Sequence, residues 1–406
     1  MIMTLIGIEF VCVGIYNPIF DDFGVTDESI ALALYSVWYS ILILSATLMV
    51  SLKNSRKQGK LFWKKPLVLE GLDSEKEFFF ICTMIAIFCV IYLYVNQAPI
   101  FQMLKGNTGS VLAERVAYNR NFGGSHLIKN VLGESVSVLV AYITYLYYRA
   151  YKTKFWRLIA IINFCCGIII SGASLSKSGI LTFLIPYIFF MVCSGKKIQI
   201  GKYIKMGVAA MMILVIMYSV QTKGASNGWK VLLDFRNGPL GRILYVQMQC
   251  LPAYFMIFPQ KYPYTWGLGI SLLRYMGLPH IEAARVVAEY LEPAGVASGR
   301  IGVANTLYIG DAYANFGWLG IFISPVIVAC VYAFFYKCLV NREKTPMNVA
   351  VNITILYSLT NAYTGGFCSG YLVNTRIIAI LLLTACFYVY RAIRMQPCSM
   401  RINAWR

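Results

Sequence analysis

The sequence predicts an all-α membrane protein that crosses the bilayer about ten times. Three observations carry that expectation. The chain of 406 residues is 59% hydrophobic and only 13% charged, where a soluble domain carries roughly a quarter of its residues as charges. Its apolar residues gather in runs long enough for a hydrocarbon core of about 30 Å, which needs about 20 residues of helix. The polar connections between those runs are basic in alternation, as the positive-inside rule requires.

The spans are expected at residues 2–20, 30–50, 78–96, 131–149, 156–172, 179–194, 203–221, 315–337, 347–364 and 373–391. Met1–Phe20 has no basic leader and no cleavage site, so it reads as a retained first span. Five connections hold most of the basic residues. The first runs from Lys53 to Lys76, the second from Arg149 to Arg157 and the third from Lys196 to Lys205. The fourth holds Lys337, Arg342 and Lys344, and the fifth is the tail from Arg391 to Arg406. They are every second connection, which places them and both termini in the cytoplasm. Residues 1–406 then form a single integral membrane domain, with a medium extracytoplasmic loop at 97–130 and a large one at 222–314.

The net charge of +19 is accounted for by those loops. It points to topology and anionic lipid rather than to nucleic acid, because no Lys/Arg stripe lies on a soluble domain. Twelve cysteines form no C-x-x-C pair, and there are only two histidines. No metal site, disulfide framework or cofactor is expected.

The large loop is not featureless. Its apolar stretch 243–258 is short and contains Pro252, so a re-entrant or surface-lying helix is expected there. Ile281, Ala284, Val287, Ala288 and Leu291 fall on one face at the helical period, between Pro279 and Pro293.

Several polar residues suit chemistry. Arg115 and Arg120 lie five apart in VLAERVAYNRNFGG, and Arg236 and Arg242 flank an Asn-Gly-Pro-Leu-Gly turn. Guanidinium forks suit phosphate because they donate two bonds at once and keep their charge. The same arginines also suit local ion pairs or lipid headgroups. Lys177 stands in the small-residue turn SLSKSG, fit either to touch a phosphate or to snorkel. His280, as a histidine, suits a general base or a plain surface position. Asp311, in YIGDAYANFGWLG, suits a cap on the following helix or a base. Arg285 has Glu282 and Glu289 at helical pairing distance, while Arg274 and Arg300 have no local partner. Asp21 and Asp22 read as an outward-facing cap without a metal.

The span count, the two arginine-bearing outer loops, the SLSKSG turn and the aromatic-glycine segment Asn305–Gly320 (NTLYIGDAYANFGWLG) together resemble the bacterial O-antigen and capsule repeat-unit polymerases, the Wzy family. Lys177 stands where such polymerases often carry Arg. The resemblance implies a GT-C-like glycosyltransferase of the bacterial cytoplasmic membrane, working on its outer face. It implies undecaprenyl-pyrophosphate-linked oligosaccharide as substrate, and a chain-length regulator and a flippase as partners. Arg115, Arg120, Arg236, Arg242 and Lys177 would then hold the pyrophosphate, and Asp311 or His280 would be the base.

Two other functions compete. An O-antigen ligase-like transferase would use the same donor with a different acceptor. A flippase or exporter of lipid-linked oligosaccharide would place charges along its spans, yet here Glu9 and Glu134 are the exceptions in spans otherwise nearly free of charge.

Overall fold

The computed structural model describes residues 24–69, 73–95, 98, 99, 101, 118, 122, 125–174, 177–193, 247–297 and 302–395. No strand occurs among them, and the described part of the chain is all-α. Six helices among the described residues are long and apolar enough to cross a membrane: Asp27–Leu52, Asp73–Tyr94, His126–Tyr151, Lys154–Gly172, Trp318–Asn341 and Cys368–Arg394. The chain is therefore a multi-pass membrane protein. Each of the six overlaps an expected span. Two helices of 17 residues, Lys177–Cys193 and Pro346–Ala362, stand at two further expected positions. The expected spans 2–20 and 203–221 lie outside the described residues.

The chain packs as two compact units. One comprises Met1–Asn54, Lys197–Phe334 and Leu359–Asn374, and the other Ser55–Lys196, Phe335–Ser358 and Thr375–Arg406.

In the first unit, Asp27–Leu52 starts at Thr26, whose hydroxyl accepts from Ser29 N, and carries Asp27 and Glu28 in its first turn. Both features satisfy the exposed N–H groups and positive dipole of a helix start. Ser29, Ala33, Ser36, Val37 and Ser40 are buried, whereas Tyr35, Trp38, Met49 and Val50 are exposed. Small residues inward and bulky apolar ones outward is the pattern of a helix in lipid. This seam packs against the short helix Leu251–Ile257. Pro252 sits in the first turn of that helix and starts it rather than breaking it, because a first-turn residue has no intrahelical N–H bond to lose. The helix has seven residues. It rises only about 10 Å and cannot cross the core by itself.

The aromatic-glycine segment forms the helix Tyr308–Phe316 and then turns sharply into Trp318–Asn341. Gly317 makes the turn with φ +59°, and Gly320 passes so close to the Ala312 carbonyl that a Cβ would collide with it. Ala283–Leu291 is helical as its periodicity predicts, with Val287 and Ala288 buried and Arg285 donating to Glu289 at 2.8 Å.

In the second unit, Tyr147 stacks on Trp156 at 4.5 Å between ring centroids, with Phe79 and Phe387 beside them. Asn163 donates to Thr83 Oγ1 at 2.8 Å across two spans. The basic helix Ser55–Lys64 buries Phe62, and Lys344 is buried there too, donating to the carbonyls of Trp63 and Lys65.

Candidate functional site

Asp311 is the centre of the first unit's polar core. It sits in the first turn of Tyr308–Phe316. Its Oδ2 accepts the backbone N–H groups of Phe367 at 2.7 Å and Cys368 at 2.8 Å. Asn315, one turn on, donates Nδ2 to Asp311 Oδ1 at 3.0 Å and to its main-chain carbonyl at 2.8 Å. Asn315 Oδ1 in turn accepts from Thr265 Oγ1 at 2.7 Å and Gly267 N at 3.1 Å. Asp311 thus does cap a helix, but not the one that follows it. It caps the π-helical turn Cys368–Leu372, where the last long helix begins. Gly366, at φ +132°, leaves room for this, since a Cβ there would stand 3.3 Å from Oδ2.

A cavity of about 180 Å³ opens beside this carboxyl. Its lining unites Asp311 and His280 with Arg274, Tyr275, Glu282, Ser271, Ser369, Asn305 and Thr306. Arg274 and Tyr275 come from the short helix Ser271–Tyr275, and Glu282 from the residue that starts Ala283–Leu291. Main-chain bonds hold the walls: Ile281 N donates to Leu268 O, Ala304 N to Ala284 O and Tyr308 N to Tyr363 O. His280 Nε2 is buried and has no hydrogen-bond partner among the described residues. Ser369 Oγ donates to Gly269 O at 2.7 Å, so its one proton is spent. Ser271 Oγ must then be the donor in its 2.6 Å contact with Ser369 Oγ, which leaves Ser271 Oγ able to accept.

Two effects oppose each other at Asp311. Burial raises its pKa above the ordinary 3.8 and Glu282 adds to the rise, while the Cys368, Phe367 and Asn315 donors lower it. The net direction is upward. A carboxylate has about four acceptor positions, and three side-chain bonds occupy this one. One position remains for a proton. A buried carboxyl shifted toward neutrality is suited to taking a proton from a hydroxyl. With two carboxyls against one guanidinium, the lining does not favour an anion. Its serine, threonine, asparagine and tyrosine groups suit an uncharged polyhydroxyl ligand.

Of the residues singled out in the sequence, Asp311 and His280 share this cavity. Lys177 is the first residue of Lys177–Cys193. Arg115, Arg120, Arg236 and Arg242 lie outside the described residues, as do Arg300, Asp21, Asp22 and Trp229. Arg274, with no local partner in the sequence, belongs to the cavity. Ser271 and Ser369 carried no signal of their own, Glu282 had read only as a partner for Arg285, and Asn305 and Thr306 stood only within the aromatic-glycine segment. The Gly365–Gly366 doublet, which lines the cavity, was the one local hint of a close backbone approach. No group of three or more His, Cys, Asp or Glu side chains that could hold a metal occurs among the described residues. Compared with protein-family models, curated proteins and solved structures, the chain matches none.

Proposed function

We propose that this chain is a membrane glycosyltransferase that polymerises undecaprenyl-pyrophosphate-linked oligosaccharide repeat units into O-antigen or capsular polysaccharide. The observation that carries the reading is the cavity of the first unit. A buried carboxyl of raised pKa and an imidazole nitrogen without a partner among the described residues share it with a lining of hydroxyl and amide groups. This is the equipment for holding a sugar and removing one hydroxyl proton.

In this reading the acceptor hydroxyl gives its proton to Asp311, with His280 orienting the hydroxyl or sharing the base role. The hydroxyl oxygen attacks the anomeric carbon of the growing glycan. The bond from that carbon to the pyrophosphate oxygen breaks, and lipid pyrophosphate leaves with the electron pair. Arg115, Arg120, Arg236, Arg242 and Lys177 hold the pyrophosphate and offset its developing charge. The donor carries its own leaving group, so no cofactor or metal is required. The topology that goes with this is GT-C-like: ten spans, both termini in the cytoplasm and the two outer loops at the outer face of the bacterial inner membrane. A chain-length regulator and a flippase are its expected partners.

The test is reconstitution of the purified chain with lipid-linked repeat units. Higher polymers are expected. Translocation across a vesicle membrane without chain growth would point instead to an exporter, and transfer only to a foreign acceptor to a ligase. Changing Arg115, Arg120, Arg236 or Arg242 to Ala should leave insertion intact and abolish long chains. Wild-type chain lengths in all four variants would overturn the pyrophosphate assignment.

A further inference from the structure

Within the second unit, Lys129 is only 5% exposed. Its ammonium lies 4.1 Å from the ring centre of Tyr118 and 5.1 Å from that of Phe122. Its carboxylate partner, Glu134, is at 4.0 Å and its side chain is 40% exposed. That pair is at the outer limit of an ion pair, so the buried charge is weakly compensated. Ionisable groups in spanning helices are costly and are kept for a purpose.

A cavity of about 220 Å³ opens at this point, with Lys129, Arg376, Glu134, Tyr118 and Thr354 on its walls. Two hydroxyls there are stranded. Tyr118 and Thr354 are each 6% exposed, and neither hydroxyl has a hydrogen-bond partner among the described residues. A buried hydroxyl without a partner costs free energy that a ligand can return. Ser174 and Gly179 also line the cavity.

We propose that this cavity binds a phosphate group, with Lys129 and Arg376 supplying charge and the Tyr118 and Thr354 hydroxyls donating to its oxygens. The charged side chains on the lining sum to one positive charge, which selects an anion. The donors stand on separate walls, which suits a tetrahedral group with several acceptor oxygens better than a flat carboxylate with two. The lining does not favour an acyl chain, because that would leave both hydroxyls unsatisfied. The widened Lys129–Ser137 helix puts Lys129 and Glu134, five residues apart, on one side, and helical segments of this kind recur at functional sites. The inference does not rest on glycosyl transfer, since a transferase and an exporter of phosphorylated lipid would both use such a site.

The experiment is equilibrium binding to the purified full chain in detergent, with radiolabelled inorganic phosphate in one arm and dodecyl phosphate in the other. Saturable binding is expected in at least one arm. Binding of both with equal affinity identifies free phosphate as sufficient, and binding of the alkyl phosphate alone identifies a lipid headgroup. Arg376→Gln should weaken binding about tenfold to a hundredfold, as loss of a charged hydrogen-bond donor does. Tyr118→Phe should weaken it about threefold to tenfold without lowering the melting temperature of the ligand-free protein. No saturable binding in either arm overturns the proposal. So does unchanged affinity in folded Arg376→Gln and Tyr118→Phe proteins.

Discussion

The side-chain amide of Asn315 reaches two oxygens of Asp311 at once, its main-chain carbonyl at 2.8 Å and Oδ1 at 3.0 Å. A group that grips both the backbone and the carboxyl of the same residue fixes the carboxyl's direction. It also favours the ionised form.

Replacing Asn315 with Leu removes that donor. The pKa of Asp311 should rise, because burial and Glu282 then face less opposition. The base must be ionised to act, so the acid limb of the pH–rate profile for chain growth should move to higher pH. The variant should also lose about 1–3 kcal/mol of stability, since Thr265 and Gly267 lose their acceptor. Measuring the profile and the melt on one preparation separates the two effects, and an unmoved acid limb would count against Asp311 as the base.

Asp311 itself should leave a mark on stability against pH. Its folded-state value is raised above the ordinary 3.8. The contribution is therefore fully present below that ordinary value and is lost as pH rises through the folded value. Asp311→Asn does not titrate, so the gap between wild type and variant should narrow across that window as pH rises. Melting curves in detergent from about pH 4 to pH 8 would show it. A gap that widens with pH would mean the three donors outweigh burial.

His280 makes a cleaner chemical probe. Its Nε2 has no partner among the described residues to lose. His280→Gln should leave the melting temperature within the range of a surface change, about 0.5 kcal/mol. If the imidazole touches the acceptor, chain growth should fall by about a hundredfold or more. Full activity in a folded variant would restrict His280 to lining the cavity.

Gly320→Ala tests the joint between Tyr308–Phe316 and Trp318–Asn341. The added methyl meets the Ala312 carbonyl, which is backbone and cannot rotate away. A loss of about 1–3 kcal/mol is expected, read as earlier unfolding in a denaturant titration. Activity should fall with it, because Asp311 sits on the displaced helix.

Local spacing made part of this protein legible. The six long helices overlap expected spans because length and hydropathy within one run decide whether a helix can span lipid. The Arg285–Glu289 pair follows from a spacing of four. Contacts that close over long stretches of chain were not legible. Asp311 finds its capping donors 56 and 57 residues away, and Ser271 meets Ser369 across 98. Lys344 has the composition of a solvated loop, and only the folded chain brings it the carbonyls of Trp63 and Lys65. Pro252 shows how proline's effect depends on where in a helix it falls: in the first turn of Leu251–Ile257 it starts the helix.

The stretch Lys129–Ser137 has a consequence of its own. Its Ser135 and Ser137 hydroxyls donate to the carbonyls of Asn130 and Leu132, five residues back. Such a stretch holds slack that an ordinary helix lacks. Each residue of an ordinary α-helix turns the chain by about 100°, and each residue of this wider stretch turns it by less. Tightening these residues to α-helical spacing without a deletion would therefore turn the chain ahead of them around the helix axis. The slack is thus a setting of phase, which fixes whether Lys129 faces Tyr118 or turns away from it.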